Sequence, residues 1–179
     1  MARLVGLLRG VNVGKHNRVR MAELRRVIEE LGYEDVRTLL QSGNVVFTTS
    51  DAASAAETKL RAAVKQELGL DVVILVRTRA ELAAAVERNP LAEHASDPKR
   101  HLVVFLEAKP AARALDGVDA AEYEPERFAL HGRELYMWLP DGIYPAKLPK
   151  VLTDKRLGVA STARNWATVE KLLALADAD

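Results

Sequence analysis

The chain has 179 residues, 26 Lys+Arg against 25 Asp+Glu, and no cysteine. That length suits one large domain or two small ones, and it hides roughly 70% of the extended-chain surface on folding, so a core forms without staples. Zero cysteine excludes disulfides, thiolate zinc sites, iron–sulfur clusters and cysteine nucleophiles, and the near-neutral balance argues against a globally electrostatic grip on nucleic acid.

Residues 3–9 read as a short buried strand, apolar between arginines. Its apolar run, residues 4–8, stops at Arg9. A secretory core needs roughly 7–15 apolar residues, and no run approaches the ~18 that span a bilayer. A cytoplasmic protein with no membrane partner is therefore the expectation. A polar loop with Gly10 and Gly14 follows, up to Arg20. Met21, Leu24, Val27, Ile28 and Leu31 then recur at helical spacing, and Gly32 is placed to end that helix. Residues 36–40 and 44–49 read as two strands joined by Gln41-Ser42-Gly43, a turn sequence. Ser54 and Glu57 have capping-box spacing before Leu60, Val64 and Leu68. A strand over 71–77 completes β-α-β-β-α-β, the ferredoxin-like order. Thr78 and Glu81 have the same box spacing before a helix to about Arg88.

All seven prolines lie at or after position 90. Pro90 and Pro98 bar helix at the residues before them, so 90–98 reads as a connector. The organisation expected is a ferredoxin-like α+β subdomain over 1–89 and a second, smaller α+β subdomain over 90–179, packed on the first. In the second, strands are expected at 101–106, 120–124, 127–131 and 134–138, with a short helix near 110–116 and a terminal helix carrying Trp166, Val169, Leu172, Leu173 and Ala176 on one face. This pattern reads as a degenerate repeat of the first half, although no residue-level self-similarity supports one.

The charge balance is a cancellation. Residues 1–28 carry seven basic side chains against Glu23, and 147–171 carry six against Asp154 and Glu170. Residues 107–126 carry six acids against Lys109 and Arg113. Either the two basic ends form a groove for an anion, or these are unrelated solvated faces.

Candidate motifs are sparse. Gly10-Val11-Asn12-Val13-Gly14-Lys15 has the flavour of a phosphate loop, but Arg9 and His16 stand where a Walker A motif needs Gly and Ser or Thr. Its backbone amides could still nest an anion. Gln41-Ser42-Gly43-Asn44 is a hairpin turn that also presents an amide and a hydroxyl, with no base nearby for Ser42. Before the last helix, Ser161, Thr162 and Asn165 are natural caps, while Arg164 beside the helix start could hold an anion, and Trp166 could stack on a base or, by its phase with Val169 and Leu173, belong to the core. The four histidines lack metal spacing, so no metal is expected. Glu122, Glu124 and Glu126 alternate as on a solvated strand edge. Phe47 is the lone aromatic on the first and third strands, against an RNA-recognition sheet.

Leu8-Arg9-Gly10-Val11-Asn12-Val13-Gly14, Met21-Ala22-Glu23-Leu24, Val36-Arg37-Thr38 and Gln41-Ser42-Gly43-Asn44-Val45-Val46-Phe47 together resemble the bacterial family called domain of unknown function 1697. Trp138-Leu139-Pro140-Asp141-Gly142-Ile143, Lys147-Leu148 and Thr162-Ala163-Arg164-Asn165-Trp166 are similar to its later blocks. The resemblance spans essentially the whole chain. It implies an α+β structure with a ferredoxin-like part and supplies no catalytic roles. The chain departs from the family pattern at Lys15, Ala146 and Ala167.

The expectation is a binding module for an anionic ligand: a phosphorylated metabolite, a nucleotide or, less favoured, a nucleic-acid backbone. Its candidate ligand-binding residues are Arg9, Asn12, Gly14, Lys15, Gln41, Ser42, Asn44, Lys147, Arg164, Asn165 and Trp166, which sit at element ends and are mostly donors. No cofactor is expected. Two alternatives stay open. One is an enzyme acting on a phosphorylated or acylated metabolite, with Lys15 or Arg164 facing developing negative charge. The other is a structural or protein-interaction domain.

Overall fold

The computed structural model describes residues 1–178. The chain divides into two compact units, one of residues Met1–Ala84 with the chain from Glu170 on, the other Ala85–Val169. Each is mixed α+β around a four-stranded antiparallel sheet.

In the first unit, β1 (Ala2–Leu8) lies between β3 (Asn44–Thr49) and β4 (Ile74–Thr78), and β2 (Glu34–Leu39) pairs with the outer side of β3. The sheet order is β2-β3-β1-β4. Register is set with Leu4 opposite both Phe47 and Thr78. Period-2 alternation then turns Leu4, Leu8, Val45, Phe47, Ile74 and Val76 to one core face. Two helices cover that face. α1 (Met21–Glu30) contributes Leu24, Val27 and Ile28, spaced three and four apart. α2 (Ala53–Leu68) contributes Ala56, Leu60 and Val64 at successive turns. Each Leu, Val or Ile so buried contributes roughly 1.5–3 kcal/mol. Gly32, at φ +80°, follows the α1 C-cap, where a side chain would be strained. Tyr33 stacks on Phe47 at 5.0 Å, so Phe47 is core, and the sheet lacks an aromatic platform at that position.

Thr78 and Glu81 form the expected reciprocal capping box at α3 (Arg79–Arg88). The Thr78 N–H donates to Glu81 Oε2 (2.8 Å), and the Glu81 N–H donates to Thr78 Oγ1 (3.1 Å). The box expected at Ser54 and Glu57 does not form. α2 begins one residue before Ser54, with Ala52 at its N-cap and no side-chain cap. The Glu57 carboxylate instead accepts the N–H of Val76 (2.9 Å), on edge strand β4. That acceptor blocks a donor a foreign strand would use.

In the second unit, β5 (His101–Leu106) lies between β7 (Glu134–Trp138) and β8 (Ser161–Asn165), and β6 (Arg127–His131) pairs with β7. The order is β6-β7-β5-β8. Both sheets therefore set their own strands in the order second, third, first, fourth. Val104, Leu106, Leu135, Met137, Leu139, Leu148 and Leu157 form a core on one face, with the short helices α4 (Leu148–Val151) and α5 (Asp154–Leu157) contributing. The last helix is α6 (Trp166–Asp177).

Two expectations change here. Residues 120–124 are not a strand. Ala120–Tyr123 is a 3-10 turn, because the Asp119 carboxylate accepts the N–H of Ala121 (3.0 Å) and closes it. Residues 161–165 are not a capping loop but β8, paired along its length with β5. Only Asn165 acts as a cap, its Oδ1 accepting the Thr168 N–H (2.9 Å). Among the described residues no helix is long and apolar enough to cross a membrane.

Candidate functional site

The loop after β1 and the β2–β3 hairpin meet. Asn12 stands at φ +56°, a conformation asparagine tolerates better than most residues. Its Nδ2 donates to the Val19 carbonyl (2.9 Å) and to the Gln41 carbonyl (2.7 Å), and its Oδ1 accepts the Val19 N–H (2.9 Å). One side chain thus fastens both ends of the loop and the hairpin tip. Gly43 completes the join. A Cβ there would lie 2.8 Å from Leu8 Cβ and 3.3 Å from both Leu8 O and Val11 Cβ, at φ +76°. The Leu8 N–H donates to the Gly43 carbonyl (2.8 Å).

This junction floors an open cavity of about 410 Å³ lined by Asn12, Arg18, Val19, Arg20, Glu23 and Gln41. Arg18 donates to the Gly14 carbonyl (3.2 Å). Arg20 is exposed, and its guanidinium has no partner among the described residues. It occupies the N-cap of α1 without a side-chain cap, and the first-turn amides of Met21 and Ala22 also lack partners among the described residues. Two cationic side chains and a positive helix end therefore converge, opposed by Glu23 alone.

The expected site residues have different fates. Asn12 and Gln41 line the cavity. Gly14, at φ +59°, shapes the loop and accepts from Arg18. Lys15 is exposed, without a partner among the described residues, and is not in the lining. Arg9 is exposed and ties its backbone to Val73 (2.9 Å). Asn44 is fully buried and acts within the hairpin, its Nδ2 donating to Leu39 O and Ser42 Oγ (3.0 Å each). Ser42 is the acceptor there, so neither group is presented to a ligand by these bonds.

Lys147, Arg164, Asn165 and Trp166 belong to the second unit. The backbone N–H of Lys147 donates to both oxygens of Glu126 (2.8 and 3.1 Å), and that of Leu148 to Glu126 Oε2 (2.8 Å). Glu126, half-buried, thus accepts from the backbone at the start of α4 rather than standing on a strand edge. Arg164 is buried in β8, where its guanidinium donates to Thr162 Oγ1 and Ala163 O (2.8 Å each). Burial pushes it down to about 10. Trp166 stacks on His101, with ring centroids 4.8 Å apart. His101 is buried with no partner at Nε2 among the described residues, and burial pushes its pKa down to about 4.

Arg18 and Arg20 are not among the expected residues, although both fall in the basic N-terminal run. The signal that finds them is position: Arg-Val-Arg immediately precedes the first helical residue, Met21. Among the described residues no group of three or more His, Asp or Glu could hold a metal ion.

A family profile described as "Protein of unknown function (DUF1697)" matches residues 1–136, more than half of the chain. The chain belongs to this DUF1697 family. The DUF1697 chain is also similar to a solved structure, that of conserved bacterial protein SP0830 from Streptococcus pneumoniae. The two are 24% identical over 98% of this chain and 99% of that one, with a TM-score of 0.72. At that identity the likeness shows the fold alone. No curated protein matches this DUF1697 member.

Proposed function

We propose that this DUF1697 member is a cytoplasmic binding module for a phosphorylated small molecule or nucleotide, built on a ferredoxin-like unit and a degenerate second copy of it. The common strand order of the two sheets supports the architecture. One observation carries the binding site: the cavity at the start of α1 pairs Arg18 and the unpartnered Arg20 with the uncapped first turn of that helix. Amides, dipole and guanidinium all favour a negative group at one place. The fork of Arg20 can take two oxygens of one phosphate. Asn12 and Gln41 belong to the cavity floor, and Asn12 spends both of its donors within the protein. The ligand is therefore gripped from the arginine side. Glu23 gives the site a place for a hydroxyl or amine on the same ligand.

Thermal shift and titration calorimetry with nucleotides and sugar phosphates test this reading. An anionic ligand is expected to raise the melting temperature, and the Arg18→Ala, Arg20→Ala double variant is expected to abolish the shift while leaving the unliganded melting temperature near wild type. The reading is refuted if no such ligand shifts the protein, or if the double variant responds like wild type.

A further inference from the structure

The second unit holds a different kind of cavity. It measures about 280 Å³ and is lined by Lys99, Arg100, Leu102, Leu139, Ile143, Ala163 and Asn165. This lies just below the range for drug-sized ligands, roughly 300–1,000 Å³, and suits a smaller molecule. Four of the seven lining side chains are aliphatic and three are donors. Two segments far apart in sequence make it, the 139–143 turn and strand β8, against the start of β5.

Its walls are held before any ligand arrives. The Leu139 N–H donates to the Arg100 carbonyl (3.0 Å), and the Arg100 guanidinium donates to the Pro140 carbonyl. The Gly142 N–H closes the turn on the Leu139 carbonyl (2.9 Å). Asp97 fixes the other lip by accepting the N–H of Lys99 (2.8 Å) and lies 3.6 Å from the Arg100 guanidinium. Arg100 is thus engaged in structure. The Lys99 ammonium is not: it has no partner among the described residues. Asn165 is fixed by its Oδ1, and its Nδ2 likewise has no partner among the described residues. The amides of Ala167 and Thr168 at the start of α6 are already taken, by Pro98 O (3.2 Å) and Asn165 Oδ1. Side chains, rather than the helix end, would hold an anion here.

We infer that this cavity binds a small organic carboxylate, its aliphatic or aromatic body on Leu102, Leu139, Ile143 and Ala163 and its head group on Lys99 and Asn165. One uncommitted cation suits a single negative charge. A phosphate dianion would leave charge unmet, and the aliphatic walls offer it no donors. Ile143 is 49% exposed and its neighbour Tyr144 93% exposed. Ile143 leaves apolar surface at the cavity that a bound hydrocarbon body would cover. A pre-formed pocket has little ordering to oppose binding.

Hexanoate and benzoate are the probes, titrated into the full-length protein and followed by amide and methyl chemical shifts. Acetate and inorganic phosphate serve as comparison ligands. Saturable shifts centred on Ile143, Ala163 and Asn165 are expected for the two probes. Acetate, with almost no body to bury, should bind roughly tenfold or more weakly. Lys99→Ala removes the charged partner and should weaken hexanoate about tenfold or more. Ala163→Leu, at an exposed strand position, fills the cavity and should abolish the shifts with the rest of the spectrum preserved. The Arg18→Ala, Arg20→Ala double variant should bind hexanoate as wild type does, so failure here is separable from failure at the first cavity. The inference is overturned if hexanoate and benzoate cause no saturable shift. It is equally overturned if Lys99→Ala and Ala163→Leu leave the shifts unchanged, or if acetate or phosphate binds as tightly as the probes.

Discussion

Asn12→Ala is the sharpest test of how the loop after β1 is held. The substitution deletes three hydrogen bonds: two to the backbone of Val19 and one to the carbonyl of Gln41. A typical net contribution is about 0.5–1.5 kcal/mol each. Val19 is only 7% exposed, so its vacated N–H and C=O are poorly reached by water, which favours the upper half of that range. Alanine at φ +56° adds roughly 1 kcal/mol that asparagine largely escapes. The sum is a loss of about 3.5–5.5 kcal/mol from the first unit. Both tryptophans, Trp138 and Trp166, lie in the second unit, so fluorescence is the wrong probe. Amide hydrogen exchange at Val45 and Phe47, in the middle of β3, reads opening of the first sheet directly. Asn12→Gly separates the two terms. It accepts the positive φ but still lacks the bonds, and it should recover about 1 kcal/mol relative to alanine. A loss below about 0.5 kcal/mol for Asn12→Ala would refute the clamp. A glycine variant less stable than the alanine one would refute the backbone argument.

The remaining predictions concern the second unit. Glu126→Gln replaces a carboxylate that accepts from the backbone of Lys147 and Leu148 with an amide that can meet only part of that geometry. We expect a loss of about 1 kcal/mol in urea unfolding followed by tryptophan fluorescence, and an unchanged midpoint would sink the capping assignment. His101 sets a pH dependence. Burial moves its pKa from 6.5 to about 4, so the unfolded chain takes up the proton first as pH falls. Its contribution is complete above about 6.5 and is lost progressively down to about 4, by up to about 3 kcal/mol. His101→Phe keeps a ring against Trp166 and should flatten that part of the profile; equal slopes in variant and wild type would rule the assignment out.

Much of this was legible in the sequence where one local rule decides the outcome. The short apolar run of β1, the i, i+3, i+4 spacing of Leu24, Val27 and Ile28, and the Thr78–Glu81 box all act within one element, and the structure has each. Legibility failed where a distant partner overrides the local signal. Glu57 carries the right spacing for a cap, yet edge strand β4 offers it a lone N–H. The alternating acids of 122–126 resemble a strand, but Asp119 closes a turn before them and Glu126 is drawn to the start of α4. Arg164 misleads in the opposite way. An arginine beside helix-capping residues reads as exposed, whereas β8 buries it with its own neighbours as acceptors. Of the candidate site, Asn12 and Gln41 were found by their loops. Arg18 and Arg20 are not legible in the same way, because a charge run names no single residue until the start of α1 is fixed.

The order in which the ribosome delivers this chain gives its last helix an unexpected timing role. The residues from Glu170 on are counted with the first unit, and Asp177 pairs there with Arg79. Domains generally fold as they emerge, N-terminal first. Here the first unit has its sheet early but lacks its final segment until the whole second unit has been made. A fragment ending at residue 89 would consequently be an interrupted folding product rather than an isolated domain. A faithful dissection would splice residue 84 to residue 170 and leave the second unit to be studied as an insert.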